Sequence, residues 1–130
     1  MSHFAKFRVY YEDTDMAGVV YYANYLKFIE RARSDALREA GVDQRAMRDE
    51  GFVFVVTRLV ADYKSPARYE DVLEVITEMK ELKRASATLL QEVWRDDELL
   101  FSSEVQFACM SEAGRPVRMP EEAIKALTSM

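Results

Sequence analysis

Only one segment of this chain has the period of a long helix. From about Tyr22 to Ala40, the residues Tyr22, Leu26, Ile29, Ala32 or Arg33, Ala36, Leu37 and Ala40 recur three and four apart. Lys27, Glu30, Arg31, Ser34, Asp35 and Arg38 cover the opposite side, with Arg31 and Asp35 one turn apart. Elsewhere strand character dominates. Phe4 to Tyr11 alternates, Phe52 to Tyr63 is rich in Val and Phe, and Val72–Leu82, Ser86–Arg95 and Leu99–Met110 follow as a meander. A lone amphipathic helix must bury its stripe on something, and here only a sheet is on offer. The expected class is α+β, one long helix against a curled antiparallel sheet.

The chain has only four glycines and three prolines, so each marks a boundary. Gly41 stops the long helix. Asp43 caps a short one through Asp49, which Gly51 closes. Ser65-Pro66-Ala67 ends the first strand of the meander. Asp96-Asp97 is a hairpin turn, Gly114 and Pro116 mark another turn, and Pro120 opens a helix over Glu121–Met130. No linker or repeat interrupts the 130 residues, so residues 1–130 read as one domain. A sheet of this size needs its edges covered, so self-association is expected.

A net charge of -5 leaves no general nucleic-acid footprint, although a local basic cluster can still hold an anionic ligand. The single cysteine, Cys109, precludes an internal disulfide and a multi-Cys zinc site, and suits a reducing cytosol. Met1 to Lys6 has no apolar signal core, and no run approaches the ~20 apolar residues of a membrane span. A cytoplasmic protein without stable membrane insertion is expected. The one histidine, His3, sits at an end expected to fray. Ser-His-Asp, Cys-His and histidine–metal chemistry go with it.

What remains is an acidic loop, Glu12-Asp13-Thr14-Asp15-Met16-Ala17-Gly18, that runs straight into the helical pattern. A carboxylate beside a helix N-terminus can be held ionised, and the same helix end can polarise a carbonyl. Those parts suffice for ester or thioester hydrolysis without metal, cofactor or histidine, with Asp15 as nucleophile or as base. The plainer reading makes Asp13 or Asp15 a cap, and Glu12 and Asp13 solvated or structural. A calcium loop fits at Asp13, Asp15 and Gly18, but fails at position 5, which is Ala17, and at position 12, which is Asn24 rather than Glu. Tyr21, Tyr22 and Tyr25 belong to a pocket wall or to the core. Cys109 reads as a small core residue and Trp94 as packing on the sheet. Lys83 and Arg84, with Lys80 and Ser86 nearby, and Lys64 with Arg68 across Pro66, are clusters able to hold phosphate or to lie solvated.

The run Arg8-Val9-Tyr10-Tyr11-Glu12-Asp13-Thr14-Asp15-Met16-Ala17-Gly18-Val19-Val20-Tyr21-Tyr22-Ala23-Asn24-Tyr25 closely resembles the signature of hotdog-fold acyl-CoA thioesterases. It is similar to the 4-hydroxybenzoyl-CoA thioesterase family, and most of all to its Tol–Pal-associated branch. Phe28 to Arg33, Tyr63 to Arg68 and Lys83 to Ser86 extend the likeness over nearly the whole chain. The resemblance implies a hotdog fold, a homodimer or homotetramer, and hydrolysis of an acyl-CoA to a free acid and coenzyme A. It places the catalytic carboxylate on Asp15 and the oxyanion donor on the Tyr22 N–H. Gly18 and Val19 lead up to that donor, and Tyr25 lies beside it. It sets the coenzyme A phosphates on Lys83, Arg84 and Ser86, with Arg68 as a weaker candidate. Many Tol–Pal-associated members carry histidine where this chain has Tyr22; tyrosine there is similar to the 4-hydroxybenzoyl branch. Two other functions fit the resemblance. One is a hotdog dehydratase, which wants a well-placed histidine. The other is a non-catalytic module that binds an acyl carrier protein.

Overall fold

Five strands make one antiparallel sheet in the computed structural model, which describes residues 2–130 and leaves Met1 outside. They are β1 (His3–Arg8), β2 (Val53–Tyr63), β3 (Val72–Leu82), β4 (Ser86–Arg95) and β5 (Glu98–Met110), arranged β1-β3-β4-β5-β2. The helices are α1 (Tyr25–Glu39), α2 (Gln44–Asp49) and α3 (Glu121–Thr128). The α+β class and its long helix are as expected. The meander is shorter than the sequence implies. β3, β4 and β5 run as neighbours, but β2 crosses to the far side of β5 and becomes an edge. The eight residues between β2 and β3 are a crossing segment, whereas Asp96-Asp97 makes the tight β4–β5 turn with Asp96 at φ 52°.

The buried stripe of α1 is Tyr25, Phe28, Ile29, Ala32, Ala36 and Leu37. It differs from the expected stripe at the front, where Tyr22 is exposed and Tyr25 and Phe28 take the core. The cause is local: Tyr22–Asn24 is a 3-10 turn, so the α period starts only at Tyr25. Phe28 and Ile29, each below 3% exposed, pack with Leu73, Val75, Val93 and Phe101. Burial of such side chains is worth about 1.5–3 kcal/mol each. A second cluster at the other end joins Leu37, Leu89, Phe107, Cys109 and the apolar face of α3.

A polar row crosses the sheet beneath α1. Thr77 pairs with Gln91 and Gln91 with Ser103 across three strands. All three are buried. The Gln91 Nε2 donates to the Ile29 carbonyl at 2.8 Å and to Thr77 Oγ1 at 2.9 Å. Ser103 Oγ donates to the Gln91 carbonyl at 2.9 Å. A bond to one helix carbonyl fixes where α1 sits along the sheet, which apolar packing alone leaves soft.

Two end effects correct the expectations from sequence. β1 stops at Arg8 because Val9 N–H turns to the Asp71 carbonyl and Tyr10 N–H to the Asp13 carboxylate, both at 2.8 Å. His3 is not frayed: it is a β1 residue opposite Thr77, and its Nε2 lies 2.9 Å from Glu39 Oε2. Asp43 caps α2 as expected, accepting from Arg45 and Ala46 N–H.

Cys109 is fully buried, and burial pushes its thiol above the ordinary range. The native protein is therefore expected to react with a disulfide reagent orders of magnitude more slowly than after unfolding in urea. Absorbance of the released thiolate, followed in both states, checks this. Prompt native labelling would show that the α3-side core opens.

Candidate active site

The acidic loop folds into a small closed unit. Asp15 N–H donates to the Val19 carbonyl and Gly18 N–H to the Asp15 carbonyl, both at 2.9 Å, while Thr14 bridges Val20. Aspartate at the first position of such a turn accepts from the backbone two residues on, and here Asp15 Oδ1 takes Ala17 N–H at 2.9 Å. Gly18 closes the turn at φ +81°, a conformation that side chains disfavour. Asp15 Oδ2 has no donor among the described residues, and the carboxylate is exposed at the rim of a cleft.

Asp13 is the structural member of the acidic trio. It is buried, its carboxylate accepts Tyr10 N–H, and its carbonyl takes both Tyr21 N–H and Asn24 Nδ2 at 2.9 Å. Asn24, equally buried, thus ties the loop to the start of α1. The cost is its capping role: among the described residues no side chain caps α1, and no acidic residue occupies its first turn. The positive helix end is therefore left without a compensating side chain among the described residues. Asn24 N–H closes the 3-10 turn on the Tyr21 carbonyl at 2.8 Å, which leaves the Tyr22 and Ala23 N–H groups ahead of it with no acceptor inside the turn.

The opposite wall is the crossing segment after β2. Val20 N–H donates to the Ala67 carbonyl at 2.8 Å, Ala67 N–H to the Tyr25 hydroxyl at 3.0 Å, and Val19 bridges Arg68. Arg95 holds this segment from below, donating to Asp71 Oδ2 at 2.7 Å and to the Pro66 carbonyl at 3.2 Å. Burial raises the Tyr25 phenol above its ordinary pKa and outweighs the Ala67 contact, which acts the other way. The resulting cleft, about 370 Å³, is bounded by Asp15, Val19, Tyr22, Tyr25, Tyr63 and Lys64, among others.

The structure thus unites Asp15, Gly18, Val19, Tyr22 and Tyr25, with Arg68 against them. It does not bring Lys83, Arg84 and Ser86 to the cleft within one chain. Those three form the β3–β4 turn, where Lys83 N–H donates to the Ser86 carbonyl at 2.8 Å and Lys83 Nζ lies 3.3 Å from Glu81. Val72 and Arg95 mark the cleft end of β3 and β4, so the turn stands away by the 11 residues of β3, about 35 Å. His3 is also remote, bonded near the far end of a 15-residue helix about 22 Å long. The expected dehydratase histidine has no counterpart in the cleft. Sequence reasoning missed Tyr63 and Asn24. The only signal for either was its place inside the motif-like stretches, since neither has a charge or a period that singles it out.

What this arrangement offers is a carboxylate oxygen without a donor among the described residues, on a cleft that the Tyr22 end of the 3-10 turn also lines. The family model of the thioesterase-like superfamily matches residues 9–127. The acyl-CoA thioester hydrolase YbgC of Escherichia coli is 39% identical over 118 residues, covering 90% of this chain and 85% of that protein. The acyl-CoA thioesterase YbgC of Haemophilus influenzae is 42% identical over 117 residues, covering 88% and 86%. Among solved structures, a probable thioesterase from Bartonella henselae superposes with a TM-score of 0.88 at 32% identity, covering 92% of this chain and all of that one.

Proposed function

The chain belongs to the thioesterase-like superfamily and is a hotdog-fold acyl-CoA thioester hydrolase, in which we propose that Asp15 and the Tyr22 turn perform the chemistry. The observation that carries this reading is the pairing of the free Asp15 Oδ2 with the uncapped 3-10 turn on one cleft. A thioester carbonyl in the cleft accepts the Tyr22 N–H. Negative charge that develops on that oxygen is stabilised by a donor already in place, an effect typically worth about 10²–10³ in rate. Asp15 Oδ2 acts in one of two balanced ways. As base it takes a proton from water, hydroxide adds to the carbonyl, and the carbon–sulfur bond breaks to release coenzyme A. As nucleophile it forms an acyl anhydride with loss of the thiolate, which water then opens. Both end in a free acid and a thiol, and both use the same oxygen. The Tyr22 ring, 62% exposed, stands at the mouth and contributes through its backbone.

The phosphates of coenzyme A belong on Lys83, Arg84 and Ser86 of a second copy. β2 is an edge whose Val55, Val56, Leu59 and Val60 are 38–46% exposed, an apolar edge that invites strand pairing. Val53 pairs with Met110 and Ser86 with Ala108, so the basic turn lies at the Val53 end of the sheet. Antiparallel pairing of two β2 edges sets the Val53 end of one copy beside Tyr63 of the other. The second copy's basic turn then falls two to three strands from the seam, about 10–15 Å, within reach of an extended coenzyme A arm. Dimers pair further into a homotetramer, and the enzyme works in the cytoplasm. The same basic turn suits the acidic surface of an acyl carrier protein as an alternative thioester donor.

A panel of aromatic, short and long acyl-CoA esters with a free-thiol readout tests the activity. The assembly is tested by the Val55→Glu/Val60→Glu double variant. It is expected to sediment as the 15.1 kDa monomer and to lose most of its acyl-CoA turnover. A variant that stays associated, or a monomer with full turnover, would remove the two-copy site.

A further inference from the structure

Tyr63 is the last residue of β2, and its hydroxyl donates across the cleft to the Tyr22 carbonyl at 2.7 Å. We propose that Tyr63 is the positioning residue of the oxyanion turn, holding the Tyr22–Asn24 backbone in the orientation that presents its N–H groups to the thioester carbonyl. This rests on the proposed function of the cleft and goes further by assigning a residue on a different element to its geometry.

Three observations support the assignment. The turn is anchored on one side only by its own chain, through Tyr21 N–H and Asn24 Nδ2 on the Asp13 carbonyl. The exposed Tyr22 ring cannot fix it by burial, so the Tyr63 bond is the anchor on the cleft side. The Tyr63 ring, half exposed, packs edge-on to Tyr25 at 5.5 Å and to Phe101 at 5.1 Å, and Tyr25 stacks on Phe101 at 5.0 Å. Its donor state is secure as well: burial, then the neighbouring Tyr22 and Tyr25, keep the phenol above its ordinary pKa and therefore protonated. A hydrogen bond into the Tyr22 carbonyl also polarises the peptide that carries the Ala23 N–H, which strengthens that second donor. Tyr63 ends the edge strand at the proposed seam, so assembly and alignment of the turn share one residue.

The test is steady-state hydrolysis by Tyr63→Phe, which keeps the ring and its packing and deletes only the donor. One lost hydrogen bond corresponds to about a 2- to 12-fold change. If it acts on the transition state, the fall appears in kcat with KM unchanged. Incorporation of 3-fluorotyrosine at position 63, which restores a donor, should recover the rate. A raised KM with unaltered kcat makes Tyr63 a wall of the pocket and overturns the proposal. So does an unaltered enzyme. Asp15→Asn run in the same assay separates the two levels. Lost turnover there with full turnover in Tyr63→Phe overturns the Tyr63 assignment alone. Full turnover in both overturns the cleft assignment itself.

Discussion

Asp15→Asn is expected to lower kcat for acyl-CoA hydrolysis by about two to four orders of magnitude, the range of a lost general base or nucleophile. The loop should survive the change. The substituted amide keeps an oxygen to accept Ala17 N–H, and the turn's other bonds are made by backbone groups at Asp15, Gly18 and Val19. The lost group is the charge on Oδ2, which has no structural partner among the described residues to leave orphaned. Circular dichroism and melting temperature should therefore match the parent protein while turnover collapses. Binding of the acyl-CoA should persist, since the N–H groups and the basic turn are untouched. Turnover within tenfold of the parent would remove Asp15 from the chemistry.

Phe101→Ala is expected to be the most damaging core substitution for the site. The ring is fully buried, stacks on Tyr25 with planes 10° apart, and meets Tyr63 edge-on. Truncation removes its transfer free energy and leaves a cavity that flat neighbours cannot close, about 3–5 kcal/mol in all. For a chain of this size that lowers the melting temperature by roughly 10–20 °C. Activity should fall at temperatures well below the new midpoint, because Tyr25 and Tyr63 lose the surface that fixes them. Calorimetry together with kcat at low temperature reads both effects. A melting point within a few degrees of the parent would mean that the cleft wall repacks. Rate loss confined to the melting range would mean that Phe101 supports the fold alone.

Much of this site is legible in the sequence. Asp15 stands out because a histidine-poor, one-cysteine chain leaves few other groups able to drive hydrolysis, and the motif around it is specific. The helix, the Asp43 cap and the Asp96-Asp97 turn follow from local rules: period, capping chemistry and turn residues act within a few positions. Periodicity alone misplaces the start of α1 at Tyr22. The reason is that the turn closes on the Tyr21 carbonyl and is anchored by Asp13 and Tyr63, contacts that an apolar period does not register. Fraying is expected of His3 because terminal position is the only guide along the chain, whereas β3 and Glu39 secure it.

The sequence by itself determined the class of fold and the family and marked Asp15 as the candidate carboxylate, since each depends on a contiguous pattern or on what the composition lacks. The tertiary structure decided how the parts meet. β2 could not be placed at the far edge from its own residues, because strand order depends on which partner each strand finds across the sheet. The division between the buried Asp13 and the free Asp15, two residues apart, likewise depends on Asn24 and Tyr10 closing around one residue and not the other. The separation of the Lys83 turn from the cleft came from strand pairing that puts the Val72 end of β3 at the cleft and its Leu82 end at the turn, a placement that spacing along the chain does not contain.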